Sequence, residues 1–369
     1  MDDVRLRVAL VCASETYGGA ELYLQRAADA LVRRGHEVVL IGRVPGFEGA
    51  RIDVGLGDKW SRRTLPWAWI QLPAERRRVL SAVRAVRPDV IHLQFKREQI
   101  GMTRALSRFA PVVWTEHGRM ERGVAQIVLG MAYRRAASHV RAISAVAAGV
   151  ADDVIARTGR TNGLSVLENG VDTTRMDVPS ARRRAEARRQ LGIDDDRPVA
   201  VWVGRMHPAK RPGLAVDIAR DWWGHVVMAG SGVALPALEV SARTIPSVTI
   251  LGHVEELSAV YSAADVLLVT SASAAREGLP TTILEAAAFG VPTLASRDAG
   301  VDDGVLAAGG RLVESGADAA RWRTELDELV ASSSSGRPRA WAEAHSLPVW
   351  EDAICRFFEA AGYEKGASR

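Results

Sequence analysis

The segment EGLPTTILEAAAFG places two carboxylates, Glu277 and Glu285, on either side of a proline. It follows an apolar run, ADVLLVT (264–270), that reads as a strand. Pro280 is suited to open a helix, because its fixed φ fits the first turn and its missing N–H is not needed there. The unsatisfied N–H groups of Thr281 and Thr282 then point out of the helix start, where a diphosphate is favoured. Glu277 lies in the loop before that start, and Glu285 lies about 7 Å further along at 1.5 Å per residue. Carboxylates accept strong charge-assisted bonds from sugar and ribose hydroxyls. One anionic ligand with hydroxyls on both sides fits this pattern; a pair of solvated glutamates fits the bare spacing equally well.

Three further groups could act on such a ligand. VGRMHPAK puts Arg205 and Lys210 directly after a strand, with Pro208 keeping the loop between them out of helix. In an open α/β sheet that is the carboxyl edge, where ligands bind. Two cations there would stabilise a departing diphosphate; alone, they read as surface charge. His117, in VVWTEHG, ends another strand and could donate to a sugar hydroxyl or act as acid or base, unless it is a loop histidine bonded to backbone. Gly18 and Gly19, in YGGAE, precede the first helix and allow close backbone approach.

The elements that must position these residues have a clear rhythm. LRVALVCA (6–13), the helical stretch AELYLQRAADALVRRG and HEVVLIG form a β-α-β unit. PDVIHLQ (88–94), PVVWTEH (111–117), HVRAIS (139–144) and LSVLENG (164–170) continue the strand series. Near residue 175 the series restarts with the basic helix ARRRAEARRQLG, then RPVAVWVGR (197–205), GHVVMAG, SVTILGH, ADVLLVT and VPTLAS. Sheets usually have four to six strands, so two doubly wound Rossmann-like α/β domains fit better than one large sheet. ASSSSGRPR (331–339) reads as a surface loop before a last helix at 348–361 that carries Trp350, Ile354, Phe357 and Phe358.

Composition narrows the classes. The 369 residues are 47% hydrophobic and 25% charged, as in an ordinary globular protein. No apolar run approaches the roughly 20 residues needed to span a bilayer, and no secretory signal is visible. Two cysteines, Cys12 and Cys355, exclude a disulfide scaffold or cysteine-rich zinc module and point to a reducing, cytoplasmic setting. Of the 48 basic residues 44 are arginine, which a GC-rich coding sequence would explain. Net charge is +8 over residues 1–172 and −4 over 173–369, as if the two halves face different partners.

Taken in order, YGGAE (17–21), PDVIHLQ, TEHG (115–118), ENGVD (168–172), VGRMHPAK (203–210), GSG (230–232), LGHVEEL (251–257), EGLPTTILEA (277–286) and a tryptophan-bearing last helix cover nearly the whole chain. Each is weak alone, but in this order the chain resembles the family 4 retaining glycosyltransferases of the GT-B fold. The resemblance implies two Rossmann-like domains facing across a cleft. Residues 1–172 would form the acceptor side, 173–345 would bind the nucleotide sugar, and the helix within 346–369 would pack back on the first domain. Arg205 and Lys210 would hold the diphosphate, Glu285 the ribose and Glu277 the donor sugar. His117 would sit beside the donor's hydroxymethyl group, with Gly18 and Gly19 under the diphosphate. His253 and Val254 would lie by the base, and Tyr17 and Asn169 on the acceptor side. Many members read EGFG where this chain reads EGLP. Pro280 has no N–H, so Gly278, Leu279, Thr281 and Thr282 would have to supply the cradle.

The resemblance implies retention by front-face attack, with no metal and no cofactor beyond the nucleotide-sugar substrate, a UDP-sugar before a GDP-sugar. Asp194–Asp196 and Asp302–Asp303 read as loop acids rather than metal ligands. The acceptor would be a hydroxyl of a small molecule, natural product or glycolipid, and nucleic acid is not expected. The alternatives are a GT-B pseudo-glycosyltransferase joining a non-sugar group, an inactive nucleotide-sugar-binding or scaffold protein, and a Rossmann oxidoreductase, disfavoured because no GxGxxG follows a strand. In KWSRRTLPWAWIQLPAERRR (59–78), Trp60, Trp67 and Trp69 mix with Lys59, Arg62, Arg63 and Arg76–Arg78, the composition of a membrane-interface segment. Pro66 and Pro73 argue against one continuous amphipathic helix there. The favoured expectation is therefore tryptophans in a core or acceptor pocket and arginines on the solvated face of a helix at 74–87; peripheral contact with the inner face of a membrane is the other.

Overall fold

The structure is a computed structural model that describes residues 5–15, 18–57, 60, 65–120, 126–332 and 336–363. The chain divides into two compact units, Met1–Glu168 with Pro348–Arg369, and Asn169–Leu347.

The first unit alternates β1 (Arg7–Ala13), α1 (Gly19–Arg33), β2 (Glu37–Arg43), β3 (Ala50–Ile52), α2 (Leu65–Val86), β4 (Val90–Leu93), α3 (Lys96–Leu106), β5 (Val112–Glu116), α4 (Gln126–Ala137), β6 (Ala142–Ala145), α5 (Ala148–Thr158) and β7 (Leu164–Val166). Its seven strands are parallel in the order β3-β2-β1-β4-β5-β6-β7. The central strands are buried along their length, as parallel strands covered by helices on both faces must be. The order reverses between β1 and β4, so the chain leaves β1, β4 and β5 at one carboxyl edge.

The second unit repeats the plan with α6 (Ala181–Gln190), β8 (Val199–Val203), α7 (Pro212–Arg220), β9 (His225–Ala229), α8 (Leu235–Ala242), β10 (Val248–Gly252), α9 (Ser258–Ala263), β11 (Val266–Val269), α10 (Thr281–Ala288), β12 (Thr293–Ser296), α11 (Asp302–Ala307), β13 (Arg311–Val313), α12 (Ala319–Ala331) and α13 (Arg337–Ala344). Its six strands run β10-β9-β8-β11-β12-β13, all parallel, with the reversal between β8 and β11.

Three local readings change. Two edge strands, β3 and β13, have only three residues each and no apolar run to announce them. LSVLENG is strand only over 164–166. Helix α2 runs unbroken from Leu65 to Val86 with Pro73 inside. Pro66 falls in the first turn, where a missing N–H costs nothing. Pro73 and Trp69, whose carbonyl loses its helical partner, are both exposed, so the break in the ladder lies on the solvent side of α2. Lys59, Arg62 and Arg63 and the side chain of Trp67 lie outside the described residues.

The last helix, α14 (Leu347–Tyr363), belongs mostly to the first unit. It buries Trp350, Ile354 and Phe358. Trp350 meets Tyr23 edge-on at 5.1 Å, and Phe358 meets His92 at 5.5 Å. Arg33–Glu351 (2.6 Å) and Arg34–Asp352 (2.9 Å) pair α1 with it at the surface, where such pairs contribute little.

His92 is buried in β4, with Nε2 2.9 Å from Thr115 Oγ1, itself 2.8 Å from Ser144 Oγ. Burial, reinforced by the nearby charge of His117, pushes His92 down to about 3. Its folded value lies below the unfolded one, so between about pH 6.5 and pH 3 the unfolded chain binds a proton that the folded state refuses. Stability should fall as pH drops through that window. Urea melts across it should show a shallower pH slope in His92→Gln than in wild type; equal slopes would remove His92 from the account. Phe358→Ala should destabilise the fold by about 3–5 kcal/mol, and an unchanged melting temperature would show that α14 contributes nothing to it.

Candidate active site

At the reversal point of the second sheet, the ends of β8 and β11 are locked together. Trp202 Nε1–H donates to Thr270 Oγ1 at 2.9 Å, and that hydroxyl donates between the carbonyls of Lys210 (2.8 Å) and Arg211 (3.0 Å). Thr270 is 1% exposed, so the clamp works without competing water. Pro208 does not keep the loop irregular; it opens a 3-10 turn, Pro208–Lys210, as a proline at the first helical position favours. A second 3-10 turn, Ser273–Ala275, is bound to it through Ala272 N–H and Ala209 O at 2.9 Å. Each turn ends on an arginine in the left-handed region, Arg211 (φ 51°) and Arg276 (φ 53°). Among the described residues only three non-glycine residues have positive φ, so two of the three flank this site. Such residues cost about 1–3 kcal/mol each and persist where their surroundings over-determine them.

Gly230 shows why glycine is needed beside the site. At φ 144° a Cβ there would stand 1.8 Å from Gly204 O, where the backbones after β8 and β9 close on each other.

The clamp delivers Lys210 to Glu277. Lys210 Nζ lies 2.8 Å from Glu277 Oε1, and Ser271 Oγ donates to the same oxygen at 2.9 Å. Neither bond uses Oε2, and an ammonium has three N–H donors, so both partners keep capacity for a ligand. Arg205, just past β8, is exposed and makes no ion pair among the described residues. Pro280 is the N-cap rather than the first residue of α10, at φ −60° and ψ 130°, with no side-chain cap on the N–H groups behind it. Thr281 and Thr282 open the helix and are half-buried, while Gly278 and Leu279 are buried before it. Glu285, one turn on, accepts from Tyr261 O–H at 2.8 Å. Burial first, then the Glu285 charge, holds that phenol well above its usual range, so it stays a donor. His253 and Val254 follow β10, the first exposed and the second packed partly against the core.

Asn169 opens the second unit, and its Nδ2 donates to Leu279 O at 2.9 Å, bracing the loop before α10. Tyr17 lies outside the described residues.

In the first unit, His117 follows β5, half-buried, with Nε2 3.1 Å from Gln94 Oε1. The Gln94 amide nitrogen donates to Ala20 O at 3.3 Å, so its oxygen must face the histidine and the ring proton sits on Nε2. Tyr23 packs edge-on against the same ring at 4.9 Å. Burial pushes the Tyr23 phenol up to about 12. Gly18 caps α1 in extended backbone, and a Cβ at Gly19 would meet nothing within 4 Å.

Gln94, Tyr23, Ser271, Thr270 and Tyr261 therefore orient the candidate groups, and no spacing in the sequence points to them. Thr270 and Ser271 follow β11, while Gln94 and Tyr261 meet their partners across more than 20 residues of chain. Asp195 pairs with Arg197 (2.8 Å) and His225 (3.0 Å); Asp302 and Asp303 are not loop acids but open α11, and Asp302 pairs with Arg297 (3.1 Å). Among the described residues no three of His, Cys, Asp or Glu converge on one point.

Comparison with known proteins follows this geometry. A D-inositol 3-phosphate glycosyltransferase of Nocardia farcinica is 28% identical over 392 residues, covering 90% of this chain and 86% of the relative. One from Geodermatophilus obscurus is 31% identical over 228 residues, 55% of this chain and 48% of the relative, so that match spans about half its length. The crystal structure of Anabaena Alr3699/HepE in complex with UDP has a TM-score of 0.76 at 16% identity, covering 96% of this chain and 100% of that one. Sucrose-phosphate synthase of Thermosynechococcus elongatus gives 0.71 at 20%, covering 98% of each. Structural likeness at such identities is likeness of fold. The family model for Glycosyltransferase Family 4 matches residues 17–175 and that for Glycosyl transferases group 1 matches 183–345. With two doubly wound parallel sheets and enzymes as relatives, the chain belongs to the family 4 glycosyltransferases of the GT-B fold.

Proposed function

We propose that this glycosyltransferase moves a hexosyl or N-acetylhexosaminyl group from a nucleotide sugar to an acceptor hydroxyl with retention of configuration. The observation that carries the reading is Glu277, held by Lys210 and Ser271 at the β8/β11 reversal and followed by an uncapped helix start. Glu277 Oε2 takes a donor-sugar hydroxyl, and Glu285, aimed by Tyr261, takes the ribose. Arg205, Lys210 and the N–H groups of Leu279, Thr281 and Thr282 meet the diphosphate, with Gly278 giving the backbone room to approach. His253 and Val254 border the base, and His117, oriented by Gln94, lies beside the donor's hydroxymethyl group. In the first unit, Gly18 and Gly19 leave space at the start of α1 for substrate.

Bond changes follow from these roles. The acceptor oxygen bonds to the anomeric carbon on the face from which the nucleotide leaves, the bond to the phosphate oxygen breaks, and the acceptor proton passes to that departing oxygen. Arg205, Lys210 and the start of α10 stabilise the charge that develops there, the role a divalent ion would otherwise fill. A UDP-sugar is the favoured donor, supported by a fold neighbour crystallised in complex with UDP and with UDP-glucose; a GDP-sugar comes second. Relatives named for inositol 3-phosphate support a small polyol acceptor, and a lipid-linked acceptor is the other class. Two buried cysteines without a disulfide support a reducing, cytoplasmic setting.

Glu277→Gln should lower turnover about 10²–10³-fold while leaving UDP affinity nearly unchanged; turnover within threefold of wild type would sink the assignment. Arg205→Ala should weaken UDP about 10–100-fold, as loss of a charge-assisted bond does, yet leave uridine unaffected; calorimetry showing equal losses would make Arg205 a folding residue. Transfer should continue in EDTA, and complete loss restored by Mn²⁺ would overturn the metal-free course.

A further inference from the structure

On the first unit, α2, α3 and α4 enclose an open groove of about 610 Å³. Leu72, Leu80 and Ile100 give it an aliphatic floor, and Gly101 lets α2 approach, since a Cβ there would stand 2.6 Å from Leu72. Arg76, Arg104, Arg108 and Arg135 surround it, all exposed. No acidic residue lines the groove, and among the described residues none of the four arginines has a carboxylate partner. Elsewhere in this arginine-rich chain Arg7, Arg157, Arg188 and Arg311 each sit on an acid. A cluster of like charges without counter-charge favours an anion.

The surface beside the groove is apolar rather than polar. On α2, Trp69 is 49% and Ile70 71% exposed; on α4, Val128 is 68% and Met131 61% exposed. Val128 lies one helical turn before Ala132 and Met131 one turn before Arg135, and both Ala132 and Arg135 line the groove, so the stripe runs into it. Four arginines over an aliphatic floor, next to exposed tryptophan, isoleucine and methionine, match an anionic amphiphile. A nucleic acid would ask for stacking surfaces along a charged track, not an aliphatic floor.

We propose that this face docks on an anionic phospholipid membrane, a lipid phosphate lying among Arg76, Arg104, Arg108 and Arg135 and its acyl stem on Leu72 and Ile100. Arginine suits this because its planar fork bonds phosphate bidentately. The surface overlaps the basic, tryptophan-rich stretch 59–78 at Trp69, Ile70, Leu72 and Arg76; the other arginines come from α3, the turn after it and α4. No residue of the groove belongs to the proposed catalytic site, so docking and glycosyl transfer stand or fall separately. Among the described residues no helix is long and apolar enough to cross a membrane, so the contact is peripheral.

The test is co-sedimentation of the full chain with phosphatidylglycerol-containing vesicles and with pure phosphatidylcholine vesicles, at low and high salt. Anionic vesicles should bind far more protein at low salt. Arg104→Ala with Arg135→Ala should weaken that binding about 25-fold, about fivefold for each arginine lost near an anionic surface. Met131→Ser with Val128→Ser should weaken what survives at high salt. Unchanged melting temperatures would show that both variants fold, and should one fail to, the other carries the test. Equal binding to neutral vesicles, undiminished binding by a folded arginine variant, or displacement of the vesicles by single-stranded RNA would each overturn the proposal.

Discussion

A single buried hydroxyl holds the candidate donor site together. Thr270 sits at the end of β11, accepts from Trp202 in β8 and donates to the carbonyls of Lys210 and Arg211. Those bonds join the two strands that flank the reversal of sheet order to the turn that carries Lys210. Everything nearer a ligand inherits its position from this clamp: Lys210 meets Glu277, and Ser271, next to Thr270 in the chain, meets the same carboxylate. Two arginines in left-handed backbone tighten the turns on either side. In a low-dielectric interior, bonds of this kind reinforce one another, and breaking one leaves the others misaligned.

Much of the fold is legible in the sequence because parallel strands buried on both faces must be nearly all apolar. VALVC, VIHL, VAVWV and VLLV advertise themselves in this way. Edge strands escape that rule. β3 is ARI with all three residues exposed, and β13 is RLV. Helix α2 shows the opposite error, since a proline that ought to break it is tolerated where the break in the ladder lies on the solvent side. The carboxylates and cations are legible too, being charged residues after apolar runs. Their holders are not: Tyr261 and Glu285 meet across 24 residues of chain, and Gln94 and His117 across 23. Sheet order, not sequence distance, decides such meetings.

The same limit explains the arginines. By composition they are one undifferentiated population, 44 in all, and a coding bias accounts for their number. In the structure they divide by partner. Arg184 and Arg188 converge on Asp265, and Arg311 on Glu325 and Glu328, so their charge is neutralised locally. The four around the α2–α4 groove have no such acid, and they come from α2, α3, the turn after α3 and α4, which are separated in sequence. A window of sequence shows the density of charge; only the fold shows which charges remain uncompensated.

The resemblance puts Asn169 on the acceptor side, and in the structure its amide braces Leu279 O in the loop before α10. Proline at 280 removes an N–H that a glycine there would offer a ligand, and a bond to a carbonyl does not restore a donor. What Asn169 supplies is position: it fixes the carbonyl of Leu279, one residue before the N-cap of α10. The N–H groups behind Pro280 have no side-chain cap, and the side chain that opens the second unit holds the loop that leads to them from 110 residues away.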